Sequence, residues 1–267
     1  AFPSHPVPPD IDRDAILSDL EAGGAEFFFN LVYPLSPDET DSLNRFNFDL
    51  CSSLPKVAGW GSLHPDNEDK ERIIEEAVGE FGFIGMKFHP FVQKFRITDP
   101  AMRPVYETLN ALRRPLFIHT GFDEFYNMKM TPEDVESLAR DYPAMPLVIS
   151  HMMFPRLDDT IGIMRRRPSV WADITNVPGS LRIMYPPGRP EDIRNSKEAA
   201  FLRDNLPEFS DRLLFGSDHP AGMGGYDDIY RDFRALGLDG GLFKKIMWDN
   251  PFGMVEKYLP GRWKAGT

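Results

Sequence analysis

The chain has 267 residues, 42% of them hydrophobic and 12% aromatic, which is enough apolar material for a sizeable core and excludes a disordered chain. Its formal net charge is -11, and no basic face interrupts that balance, so neither nucleic acid nor an anionic membrane is an expected partner. A single cysteine, Cys51, excludes an intrachain disulfide framework or a thiolate metal site and fits a cytoplasmic chain.

In chain order, a helix is predicted over residues 10–22, with apolar positions at 11, 15, 16 and 20 and Gly23-Gly24 as its stop. The first strand pattern follows at 26–33 (EFFFNLVY). SPDE at 36–39 then has the spacing of a capping box with Pro at the first helical position, and opens a helix to Ser53. Further strands are predicted at 56–63, 82–88, 115–120, 146–150, 170–174 and 212–216, each a short apolar run bounded by Gly, Pro or charged residues. Helices are predicted between them at 67–79, 99–113, 131–141 (opened by TPED) and 156–167. Arg165-Arg166-Arg167 closes the last of these as cations complementing a helix C-terminus. Helices at 196–206, 226–236, 240–248 and 251–258 complete the chain. No apolar run approaches the roughly 20 residues of a membrane span, and no signal peptide is expected.

Strands alternating with helices imply βα units and a parallel sheet. The strand starts at 26, 56, 82, 115, 146, 170 and 212 are spaced evenly enough for a single α/β domain, a (β/α)8 barrel of the TIM type, typically about 250 residues. A doubly wound open sheet is the rival, but the Gly-rich phosphate turn it normally carries after its first strand is not seen. Seven strands are found where a barrel takes eight. The chain opens on loop and helix, so the missing first strand is expected upstream of Ala1.

Barrel active sites form at the C-terminal ends of the strands. Five of the six histidines (His64, His89, His119, His151 and His219) fall at or just beyond such ends; His5 is the exception. Tyr33, Lys87, Asp173 and Asp218 fall there too. Imidazole and carboxylate converging at one mouth is the donor chemistry of a catalytic zinc site, whose open position holds an activated water. Each residue also has a plainer reading. His119 alone is a core histidine, Asp218 alone is a cap, and His64 and His89, each followed by Pro, read as loop formers. Cys51 reads as a small buried hydrophobe.

GFIGMKFHPF, PLFIHTG, PLVISHM, LLFGSDHP and the closing WDNPFGMV together resemble the amidohydrolase superfamily, in the branch that includes aminocarboxymuconate-semialdehyde decarboxylase and related metal-dependent hydrolases and decarboxylases. The resemblance implies a divalent metal, zinc first, with His119 and Asp218 as ligands, Asp218 also taking a proton from the water, and His151 as the acid/base or polarising group. Lys87, His89 and Tyr33 are the candidates to hold an anionic group of a small-molecule substrate. Hydrolysis of a carboxylate, amide or lactone is the activity implied first. Non-oxidative decarboxylation and a non-catalytic barrel with a lost metal site are the alternatives, and a homodimer is the implied assembly. One departure stands out: the His-x-His pair that closes the family's first strand is absent from the sequence. Either it lies upstream of Ala1, or the chain does without it and His5 supplies a ligand or the metal is lost.

Overall fold

The structure is a computed structural model that describes residues 12–263; His5 therefore lies outside the described residues. In chain order the helices and strands are α1 (Arg13–Ala22), β1 (Phe28–Leu31), α2 (Thr40–Ser53), β2 (Val57–Trp60), α3 (Lys70–Gly79), β3 (Met86–Phe88), α4 (Pro90–Gln93), α5 (Arg103–Leu112), β4 (Leu116–Ile118), α6 (Pro132–Asp141), β5 (Leu147–Ile149), α7 (Leu157–Arg166), β6 (Val170–Asp173), α8 (Val177–Met184), α9 (Pro190–Arg194), α10 (Lys197–Asn205), β7 (Leu213–Leu214), α11 (Tyr226–Ala235), α12 (Gly240–Lys244) and α13 (Asn250–Tyr258). A π-helical turn, Lys245–Asp249, joins the last two. No helix among the described residues is long and apolar enough to cross a membrane. The chain divides into two compact units, and β6 carries it across the boundary between Trp171 and Ala172.

The larger unit holds residues 27–171 and the C-terminal stretch from Pro251. Its strands run parallel. β1 pairs with β2 in the register Phe28↔Val57 to Leu31↔Trp60, and β3, β4 and β5 pair in turn, with Met86 opposite Leu116 and Leu116 opposite Leu147. Gly61 bridges the end of β2 to Met86. Strands β2 to β5 are buried along their whole length, which is why, Lys87 in β3 apart, they read as continuous apolar runs rather than alternating ones.

Helix α2 packs on β2 through a polar face. Asn44 donates to Ser62 O at 2.8 Å and accepts from Ser62 N at 3.0 Å, while Asn47 donates to Trp60 O at 2.8 Å. These amides satisfy strand-end backbone groups that would be costly if buried unpaired. Cys51 lies on the same helix, buried and unbridged, and burial pushes its thiol up to about 11. At the other end of the chain, the Arg262 guanidinium gathers the carbonyls of Cys51, Leu54 and Val57, tying the C-terminus into this unit.

The expected capping box at SPDE does not form. Ser36 makes no side-chain cap bond, and Glu39 instead accepts the Leu35 N–H at 2.7 Å. The box at TPED does form, with Thr131 and Asp134 reciprocally bonded. The predicted C-terminal cations of α7 are in place, and Arg166 and Arg167 also grip Glu136 of α6.

The smaller unit holds the described residues up to Glu26 and residues 172–250. Within it β6 pairs parallel with β7, Ala172 opposite Leu213 and Asp173 opposite Leu214. Asn250 fastens the chain behind β7 by donating to Ser210 O and Leu213 O. Arg182 of α8 forms an ion pair at 2.6 Å with Asp232 of α11, whose carboxylate is fully buried and is also gripped by Arg231.

Candidate active site

In the larger unit, consecutive strand ends bring Lys87, His89, His119 and His151 together. Lys87 is the middle residue of β3 and is buried. Its ammonium donates to Ser150 Oγ at 3.2 Å and lies 4.7 Å from the centre of the Phe117 ring. His89 directly follows β3 and caps α4. Its Nδ1 accepts from Val92 N at 3.4 Å, and its backbone N–H donates to Gln93 Oε1 at 2.9 Å. The loop-forming reading of His89 therefore describes its backbone role, and that of His64 likewise, whose Nδ1 accepts from Asp66 N at 3.2 Å.

His119 directly follows β4, where its N–H continues the ladder to Phe88 O at 2.9 Å. Its ring stacks on His89 with centroids 3.7 Å apart and planes 13° from parallel. His119 Nδ1 and His151 Nε2 share a hydrogen bond of 3.2 Å, so one of the two nitrogens carries the proton. The remaining nitrogen of His119, Nε2, is buried with no hydrogen-bond partner among the described residues.

The electrostatics follow from this crowding. Burial, then the Lys87 charge and His151, push the His89 imidazole down to about 2. Burial first, then His89, His151 and Lys87, hold His119 well below the usual histidine range. Both rings are thus neutral at physiological pH, the form in which imidazole ligates a metal or accepts a proton.

The backbone that presents these groups is unusual. His151, Met152 and Met153 have φ of 57°, 48° and 53°, three successive non-glycine residues in the left-handed region. Each such residue costs about 1–3 kcal/mol, and strain of this kind concentrates at functional sites. Gly121, at φ +72°, lets the loop after β4 pass against this run: a Cβ there would lie 2.8 Å from Met153 C. Phe122 N then donates to Phe154 O at 2.8 Å. Arg156 holds Asp123 and Met130 O at 3.0–3.1 Å, closing the loop between them.

Sequence reasoning missed several residues here. Phe91 and Tyr126 stack face to face, 4.8 Å apart, beside His89 and His119, and Phe122 lies 5.5 Å from the His151 ring. Tyr33, a predicted contact, stands 5.2 Å from His89, ring to ring. Gln93 is the fixed point beneath them: its amide donates to Pro34 O and Leu63 O while its oxygen accepts from His89 N. The run of bulky rings after β3 and β4 (FHPF, GFDEFY) was the available signal for the aromatic rim. Nothing local signalled Gln93.

Asp218 belongs to the smaller unit. It follows β7 at φ 54°, again left-handed, and its carboxylate accepts from Asn176 Nδ2 at 2.9 Å. Asn176 Oδ1 in turn accepts from Met223 N, which fixes the amide. The neighbouring His219 side chain is buried, 3.5 Å from Asp19 of α1. Asp173 accepts from the Thr175 N–H and hydroxyl within its own turn.

The divalent metal that the resemblance implies fits the donor chemistry of this chain but not yet a full shell. A buried, unpartnered Nε2 on a neutral imidazole is a ligating atom. Among the described residues, however, no three His, Cys, Asp or Glu groups converge as ligands.

Comparison with known proteins places the chain. No curated protein sequence matches it. Among solved structures it is similar to an uncharacterised TIM-barrel protein from Bordetella bronchiseptica, with a TM-score of 0.70 at 18% identity over 92% of this chain and 83% of that one. It is similar to a 5-carboxyvanillate decarboxylase from Novosphingobium aromaticivorans complexed with manganese and 4-hydroxy-3-methoxy-5-nitrobenzoic acid (TM-score 0.63, 17% identity, covering 93% and 79%). It is also similar to a probable 2-pyrone-4,6-dicarboxylic acid hydrolase from Acinetobacter baumannii with citric acid bound (TM-score 0.64, 14% identity, covering 95% and 93%). These likenesses show the fold class, α/β of the TIM-barrel type, as the strand spacing predicts. The amidohydrolase family model matches residues 8–254, and the chain belongs to the amidohydrolase family.

Proposed function

We propose that the protein is an enzyme that hydrolyses a small organic carboxylate, amide or lactone with the help of a divalent metal. The observation that carries this reading is the convergence of three buried imidazoles and one buried ammonium at consecutive strand ends, with His151 held on left-handed backbone. In this proposal His119 offers Nε2 to the metal. Bound there, a divalent metal supplies a Lewis acid and lowers the pKa of water to about 7. His151, hydrogen-bonded to His119, moves the proton. Lys87 holds an anionic group of the substrate, with His89 and Tyr33 lining its approach. Asp218 is assigned a ligand and base role from its LLFGSDHP motif alone. Decarboxylation is the second reading, favoured by the likeness to the manganese-bound decarboxylase. A cytoplasmic location and a homodimer belong to the same proposal; light scattering on the purified chain reads the second.

The test is turnover by purified protein loaded with manganese or zinc, against lactones, amides and aromatic carboxylates. Ring-opened or cleaved acid supports hydrolysis, and released carbon dioxide supports the second reading. His151→Asn, which tolerates the left-handed backbone, is expected to lose about 10²–10⁴-fold in rate. Absence of turnover with either metal would instead favour a non-catalytic barrel.

A further inference from the structure

A groove in the smaller unit lies between α9 and α11, open to solvent. Arg194, Arg231, Arg234, Tyr230, Glu191 and Pro190 line it. Three guanidiniums against one carboxylate is an unusual local balance in a chain of net charge -11. Arg231 is neutralised by Asp228 and Asp232, at 2.8 and 3.2 Å. Glu191 is engaged by Arg189 at 3.2 Å. Neither Arg194 nor Arg234 has a carboxylate partner among the described residues.

The plain explanation is that both arginines sit in the last turns of their helices to complement the dipoles. A third arginine already does that work. Arg203 Nη1 donates to Arg194 O at 2.9 Å and to Leu236 O at 2.7 Å, satisfying carbonyls at the ends of both α9 and α11. Among the described residues Arg234 donates only to the Tyr230 hydroxyl, at 3.3 Å. Its guanidinium lies against the edge-to-face pair of Tyr230 and Phe243, 5.9 and 5.4 Å from their ring centres. Arg194 rests against the Gly237 turn, which has no side chain to displace it: a Cβ there would lie 3.1 Å from Arg194 Cζ. Both forks are positioned by packing while most of their donors remain unspent, the arrangement that recognises oxyanions.

We propose that this groove binds a small oxyanion ligand, a phosphate or a carboxylate, through Arg194 and Arg234. Calorimetric titration of the whole chain with inorganic phosphate and, separately, with citrate, in chelator-treated buffer, tests it. Saturable binding of at least one is expected, weakened more than tenfold in Arg194→Ala/Arg234→Ala. A charge-matched control, Arg72→Ala/Arg140→Ala, should stay within twofold of the parent. Saturation by phosphate alone or by citrate alone identifies the source of the oxyanion. If the alanine pair does not fold, Arg194→Lys/Arg234→Lys keeps the charge but loses the forks, and is expected to weaken binding severalfold. No saturable binding by either anion, or equal weakening in the control, overturns the proposal.

Discussion

Gln93 shows how much a single buried amide can carry. Its three hydrogen bonds, at 2.9, 3.1 and 3.0 Å, join the segments that follow β3, β1 and β2, and so set Tyr33 and His89 at their 5.2 Å ring distance. Replacing it with leucine strips this partner from one buried N–H and two carbonyls. The expected cost is about 2–4 kcal/mol, read as a lower urea midpoint at unchanged slope. Gln93→Glu keeps the acceptor for His89 N but turns a carboxylate oxygen towards two carbonyls. It should be at least as damaging at neutral pH and recover partly in acid, when the carboxyl regains a proton. If both variants match the parent, the amide does not organise these loops. The residue was invisible in the sequence because its partners lie 4, 59 and 30 positions away, whereas His119 and His151 announced themselves by ending apolar runs.

At the level of elements, the Glu136 carboxylate links α6 to α7. It accepts from Arg166 at 2.8 and 2.7 Å and from Arg167 at 3.1 Å, and the Arg166 hydrogen bond holds its carboxyl below the ordinary 4.5. A depressed acid contributes stability that is complete above the unfolded value and is lost as pH falls through the folded one. Glu136→Gln should therefore unfold at lower urea than the parent at pH 7, by a small margin because Arg166 is solvent-screened, and the margin should shrink as pH falls below the ordinary carboxyl range. A difference that does not change with pH would assign the effect to packing. The seven strands were legible because each is a bulky apolar run between breakers, though pairing realises only part of each run: residues 26–33 narrow to Phe28–Leu31 and 82–88 to Met86–Phe88. Helix α8 was not legible. Its VPGS start carries two residues that weaken helices, yet Pro178 sits in the first turn, where it is tolerated. Gly179 is needed because a Cβ would meet Met223 Cβ at 2.8 Å. The SPDE box failed for the opposite reason, since a good local signal lost Glu39 to the Leu35 N–H.

On the scale of the whole molecule, charge sets how a substrate arrives. The formal charge of -11 treats histidines as neutral, and burial keeps His89 and His119 so. If the substrate is an organic anion, as proposed, the long-range field of the protein repels it, and Lys87 attracts it only at close range. Salt screens the first effect more than the second, because exposed charges are damped beyond about 8–10 Å in physiological salt while a buried contact is not. The expected outcome is that kcat/KM for a carboxylate substrate rises about two- to threefold between low and physiological ionic strength, with kcat unchanged. A neutral lactone should show no such dependence and serves as the internal control. A fall in kcat/KM with salt for the anion would mean that local positive charge around the imidazole cluster outweighs the net charge and steers the substrate in. An equal change for both substrates would place the salt effect on the protein rather than on the encounter.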